Sequence, residues 1–154
     1  MSEQTPCPDY VWWLIPEKLA GMSRPLSEDL PRLYQAGMRG IVSVMDESSG
    51  IEEYKNAKFQ ALWLPTTGGK PPTVEQVKKF VEFAEPLIEN NQPVVVHCTS
   101  GNRRTGTLLA AYLVAKGEYP ERALSLVQKA RPTAELRDAQ REFLSVLPQL
   151  LAKT

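Results

Sequence analysis

One junction constrains this chain more than any other feature. The run Pro93-Val94-Val95-Val96 leads directly into His97-Cys98-Thr99-Ser100-Gly101-Asn102-Arg103-Arg104-Thr105-Gly106-Thr107, and Leu108-Leu109-Ala110-Ala111-Tyr112-Leu113-Val114 leads out of it. A short valine-rich run reads as a strand buried on both faces, and the run that follows reads as a helix. Strand, tight loop and helix in immediate succession commit the chain to an α/β architecture, because the helix must lie back on the sheet.

The flanking sequence agrees with that architecture. Val11-Trp12-Trp13-Leu14-Ile15-Pro16 and Leu19-Ala20-Gly21-Met22-Ser23-Arg24-Pro25 read as a strand pair. Further strands are expected over 40–45 and 59–64. Ser27 caps a helix to Gln35 that Gly37 stops, and Ile51 to Ala57 reads as a short helix. Thr73 with Gln76 forms a capping box for a long helix with Val74, Val77, Phe80, Val81, Ala84 and Leu87 on one face. Pro120 opens another helix to Ala130, and Thr133 begins the last. Strands alternating with helices predict a mostly parallel central sheet with helices on both faces. At 154 residues the chain reads as a single domain, 1–154, with 1–9 as a flexible tail.

The loop between strand and helix is built for an anion. A helix start offers backbone N–H groups without intrahelical partners and the positive end of the helix dipole. Thr99, Ser100, Gly101, Asn102, Arg103 and Arg104 can wrap their N–H groups around a phosphate, with Gly101 supplying the backbone freedom a tight loop needs. Arg104 presents a planar fork that grips two oxygens, while Arg103 fits better as a charge at the rim. Cys98 lies at the base of this cup; helix starts and nearby cations favour the thiolate, the form that attacks phosphorus. The Thr105 hydroxyl is placed to hydrogen-bond the sulfur and improve it as a leaving group. His97, the lone histidine, reads as an orienting neighbour of the loop and not as an acid.

Composition narrows the setting. Lysine plus arginine and aspartate plus glutamate both number 18, so nothing global steers the chain toward nucleic acid. No apolar run approaches the ~18 residues of a membrane span, and the first residues lack a basic start and apolar signal core. The two cysteines, Cys7 and Cys98, lie far apart, so a structural disulfide is not expected, and a reducing cytoplasm suits a catalytic thiol. A monomer without a membrane partner is expected.

His97-Cys98, five residues with Gly101 in the middle, then Arg104-Thr105, resembles the signature of the cysteine-dependent protein tyrosine phosphatase superfamily. The short chain looks most like the small atypical dual-specificity phosphatases. The likeness extends to the N-terminal strand pair and to Arg131-Pro132, and so covers most of the chain from about Tyr10 to Leu147. The resemblance implies the superfamily's α/β fold, Cys98 as nucleophile, Arg104 as phosphate clamp and Thr105 as the hydroxyl that aids turnover. It also implies that no metal or organic cofactor is used.

The chain departs from that pattern at one place. The family carries its general acid as an aspartate on the loop after the strand before the long helix. Here that loop is Pro65-Thr66-Thr67-Gly68-Gly69-Lys70-Pro71-Pro72, without a carboxylate, and Thr67 or Gly68 stands where the aspartate is expected. Asp46, after the strand 40–45, is the first candidate to replace it, because loops after parallel strands share one sheet edge. Glu135 is a second candidate, with positioning of the hydrolytic water as its other role.

The leading expectation is a phosphatase that hydrolyses phosphomonoesters through a phosphocysteine intermediate. Its substrate is phosphotyrosine, with phosphoserine and phosphothreonine as a wider range, on a protein or a small phosphate ester. Lipid-directed relatives carry lysines in the five-residue loop, which Thr99, Ser100, Asn102 and Arg103 lack, so phosphoinositides are less favoured. The alternatives are a phosphoanhydride hydrolase similar to RNA 5′-triphosphatases, which needs no acid, and a non-catalytic phosphate-binding module.

Overall fold

A computed structural model describes residues 7–48 and 50–153. Five strands form one sheet: β1 (Trp12–Ile15), β2 (Leu19–Met22), β3 (Gly40–Ser43), β4 (Gln60–Trp63) and β5 (Val94–His97). Their order is β1-β2-β5-β3-β4. Only the β1–β2 pair is antiparallel, so the sheet is mostly parallel, as the alternation of elements predicts. The central strand is β5, with His97 opposite Met22 of β2 on one side and Ser43 of β3 on the other.

Alternation along the strands splits the core into two layers. Val94 and Val96 of β5 join one cluster with residues of helices α3 (Val74–Glu89), α4 (Arg103–Ala115), α5 (Pro120–Ala130) and α6 (Asp138–Ala152). Val95 faces the other cluster, with Leu30 and Leu33 of α1 (Leu30–Gln35) and Tyr54 of α2 (Ile51–Asn56). All three valines are completely buried, which is why this run carries no polar residue. Among the described residues, no helix is long and apolar enough to cross a membrane.

Three sequence expectations shift. The helix expected from Ser27 begins as a single 3₁₀ turn, Ser27–Asp29, before α1. Pro31 has no N–H to give the Ser27 carbonyl, so a regular helix cannot run from that cap. The last helix begins at Asp138 and not at Thr133. Residues 131–135 turn instead, with Ala134 N–H on the Arg131 carbonyl (2.9 Å). Of the flexible tail expected over 1–9, residues 1–6 lie outside the described residues, while Cys7 is half-buried against the second core and Pro8 is buried.

The parallel strands end together, so the loops after β3, β4 and β5 meet at one edge. That edge holds the candidate site.

Candidate active site

The loop from Cys98 to Asn102 is fixed from three directions. From β1, the Trp12 indole N–H donates to the Gly101 carbonyl (3.1 Å). From the chain after β2, the Arg24 N–H donates to the Thr99 carbonyl (3.2 Å). From beyond α5, Arg131 Nε and the Thr133 hydroxyl both donate to Asn102 Oδ1 (2.9 and 2.8 Å). Gly101 has φ of 77°, and a Cβ there would stand 2.5 Å from the Met22 backbone, so both conformation and space require glycine.

Behind the loop lies a buried polar pair. His97 is fully buried; its Nδ1 lies 3.3 Å from the Cys98 carbonyl and its Nε2 lies 3.0 Å from the Tyr54 hydroxyl. The carbonyl can only accept, so Nδ1 carries the proton and Nε2 accepts from Tyr54. Burial pushes the His97 pKa down to about 4, and burial also pushes Tyr54 up to about 12. A neutral imidazole tied at both nitrogens fits the orienting role read from the sequence.

Cys98 is buried but lines an open cavity of about 550 Å³. Its sulfur accepts from the Gly101 N–H (3.2 Å) and from the Thr105 hydroxyl (3.1 Å). Two donors converge on the one sulfur and hold it in place. Thr105 sits in the first turn of α4, which closes with the Gly106 N–H on the Asn102 carbonyl (2.8 Å).

Arg104 lies beside the sulfur in the same cavity. One terminal nitrogen donates to the Thr66 carbonyl (2.9 Å) and the other to the Thr99 hydroxyl (3.2 Å). Arg103 also lines the cavity, with its Nε held by the Glu135 carbonyl (2.9 Å), which makes it a fixed rim charge. Ser100 lines the cavity as well. Of the six loop residues expected to surround a phosphate, Ser100, Arg103 and Arg104 line the cavity, whereas Thr99, Gly101 and Asn102 belong to the same loop without lining it.

The opposite wall comes from the loop after β4 and the start of α6. Gly68, Gly69 and Lys70 line it with Arg137. Gly68 faces the cavity from about the place where the family's aspartate is expected, and a Cβ there would meet nothing within 4 Å. Asp46 stands 3.8 Å from Arg104 as an ion pair; its side chain is 64% exposed, and it does not line the cavity. Glu135 meets the site only through its backbone carbonyl. The described lining therefore contains cations and no carboxylate.

Sequence reading missed the partners of the loop. Lys70 and Arg137 come from segments distant in sequence from Cys98, and no local pattern marks them. The ties to Trp12, Tyr54 and Thr133 are equally invisible to spacing. Among the described residues no cluster of histidine, cysteine and acidic side chains is arranged to hold a metal.

Comparison with known proteins agrees with this geometry. A family model described as "Tc-R-P: Polymorphic toxin system, DSP-PTPase phosphatase" matches residues 17–118. The phosphatidylglycerophosphatase and protein-tyrosine phosphatase 1 of Rattus norvegicus is 32% identical over 117 residues, covering 70% of this chain and 60% of that protein. The chain thus spans less than two thirds of that relative's length. The mRNA-capping enzyme of Danio rerio is 40% identical over 67 residues, 42% of this chain and 11% of that enzyme. The crystal structure of PTPMT1 superposes with a TM-score of 0.84 at 26% identity, covering 94% of this chain and 97% of that one. A fold shared over nearly the whole length, and a family model matched across the loop from Cys98 to Arg104, place the chain in the cysteine-dependent protein tyrosine phosphatase superfamily, among its small atypical dual-specificity phosphatases.

Proposed function

We propose that the protein hydrolyses phosphomonoesters in two steps through a phosphocysteine at Cys98. The observation that carries this reading is the sulfur held by the Gly101 N–H and the Thr105 hydroxyl beside the Arg104 guanidinium. The thiolate attacks phosphorus, the P–O bond to the leaving group breaks, and Arg104 with the N–H groups at the start of α4 holds the equatorial oxygens. Water then attacks the phosphocysteine, and the Thr105 hydroxyl stabilises the departing thiolate. Phosphotyrosine is the leading substrate, with phosphoserine and phosphothreonine as a wider range. The names of the relatives cover a lipid phosphatase as well as protein phosphatases, so the substrate class is open to a lipid phosphate ester too. Both cysteines are free, and a reducing compartment such as the cytoplasm suits the thiol chemistry.

Asp46 serves Arg104 in this reading and not the leaving group, because it pairs with the guanidinium and stands outside the cavity. Retention of Cys98 argues against a module that only binds phosphate, which has no use for a thiol. The test is an acid-quenched reaction on an aryl phosphate, with intact mass reading phosphate on Cys98. Cys98→Ser is expected to abolish turnover and still bind vanadate; substantial activity in that variant would overturn the nucleophile assignment. Arg104→Lys is expected to lose most activity, since an ammonium cannot reproduce the two-pronged grip.

A second reading, phosphoanhydride hydrolysis, is favoured by the cavity's lack of a carboxylate. A phosphate leaving group needs little protonation, and the likeness to an mRNA-capping enzyme is consistent with such a substrate. Turnover of an RNA 5′-triphosphate in preference to aryl phosphates would favour it.

A further inference from the structure

We infer that Lys70 and Arg137 form a second anion subsite in the cavity, and that the natural substrate carries a second phosphate close to the scissile one. The inference rests on the reading of Cys98 and Arg104 as the scissile-phosphate site. A phosphomonoester dianion is matched there by Arg104 and the start of α4. Lys70 and Arg137 remain on the opposite wall of the same cavity. Neither has an acidic partner within 4.0 Å among the described residues. Two cations facing a cavity that lacks a carboxylate call for anionic charge from the ligand.

The pair is built and not incidental. Gln140 of α6 is fully buried. Its Oε1 accepts from the Arg137 N–H (2.8 Å), and its Nε2 donates to the Lys70 carbonyl (3.4 Å). One buried amide therefore joins the loop after β4 to the start of α6 at the two residues whose side chains supply the charge. Gly69 keeps the arginine stem close: a Cβ there would lie 3.1 Å from Arg137 Cδ. The cavity volume, about 550 Å³, leaves room beyond a single phosphoryl group.

The chemistry fits the missing carboxylate. The loop after β4 is the wall from which the family's acid would protonate the leaving group. Cations there stabilise negative charge on that side without transferring a proton. The second phosphate can be the leaving group itself, in a P–O–P anhydride, or a substituent a few atoms away on a bisphosphate ester.

The test measures binding and needs no turnover, so it stands apart from the phosphocysteine test. Cys98→Ser protein is titrated calorimetrically with orthophosphate, with methylenebisphosphonate and with propane-1,3-diol bisphosphate. At least one two-phosphate ligand is expected to bind about tenfold tighter than orthophosphate, the gain of one further charge-assisted contact. Preference for the bisphosphonate supports the anhydride spacing, and preference for the propanediol compound supports the ester. Adding Lys70→Ala or Arg137→Ala is expected to bring the affinity ratio toward one. Lys79→Ala, an exposed lysine of α3, removes the same charge elsewhere and is expected to leave the ratio intact. Equal affinity for all three ligands, or an equal fall in the ratio for Lys79→Ala, would overturn the inference.

Discussion

His97 and Cys98 are neighbours in sequence with opposite surroundings, and strand alternation is the reason. His97 points toward Tyr54 on the α2 side, while Cys98 joins the core on the α4 side and opens to the cavity. The sequence marks His97 as an orienting residue but not its partner, because Tyr54 arrives from a helix 43 residues earlier. Burial keeps His97 neutral in the folded state with a pKa pushed down to about 4, whereas an unfolded chain's imidazole titrates near ~6.5. The unfolded state therefore binds the proton first. The contribution is complete above the unfolded value and is lost as pH falls from ~6.5 toward the folded value, by roughly 3 kcal/mol in all. Urea unfolding of the wild type is expected to show that slope, and His97→Gln to flatten it; identical slopes would contradict the assignment. Thr105 is the second case at this scale, and its place directly after Arg104 made its contact with the sulfur legible in advance. Thr105→Val removes the hydroxyl at nearly constant volume. Loss of a hydrogen bond to a charged group is worth ~1.5–3 kcal/mol, so kcat is expected to fall tenfold or more. It should fall further than kcat/KM, with a burst of product as phosphocysteine accumulates. An equal fall in both, without a burst, would place the hydroxyl in the first step instead.

The elements were legible where one period ran unbroken. The β5 valines, the α3 capping box and the α4 apolar run each carry a local signal, and each element stands where that signal places it. The two shifted helices failed for local reasons that spacing does not display. Pro31 interrupts the hydrogen bonds that Ser27 would cap, and Thr133 spends its hydroxyl on Asn102. The loop 65–72 is the element with most bearing on chemistry. Its lack of a carboxylate was plain in the sequence, but its placement against Arg137 depends on the buried Gln140, which no local pattern announces. Gly68 has open space beside it and faces the cavity. Gly68→Asp is therefore expected to fit without displacing a neighbour and to supply the absent proton donor. A positioned acid supplies ~10²–10⁴, and an added one held less well is expected to raise kcat/KM about tenfold for poorly acidic leaving groups. Good leaving groups should gain little. A uniform fall across all substrates would show that a carboxylate there only opposes the substrate's charge.

For the whole molecule, charge and chemistry are both distributed unevenly. The chain balances 18 basic against 18 acidic residues, yet Lys70, Arg103, Arg104 and Arg137 meet at one cavity. Composition could not show that concentration, because folding brings the four together from three separate segments. The same edge of the sheet holds the Cys98 sulfur, with two donors upon it, and no carboxylate lines the cavity beside it. Attack without proton donation is the central claim, and leaving-group acidity is its most direct probe. The measurement is kcat/KM of the wild-type protein across aryl phosphates whose phenols span a wide range of pKa, beside the same series for Asp46→Ala. A steep fall with rising phenol pKa is expected, with a similar slope in Asp46→Ala. A flat series in the wild type would contradict it, and a flat series that turns steep in Asp46→Ala would identify Asp46 as the acid after all.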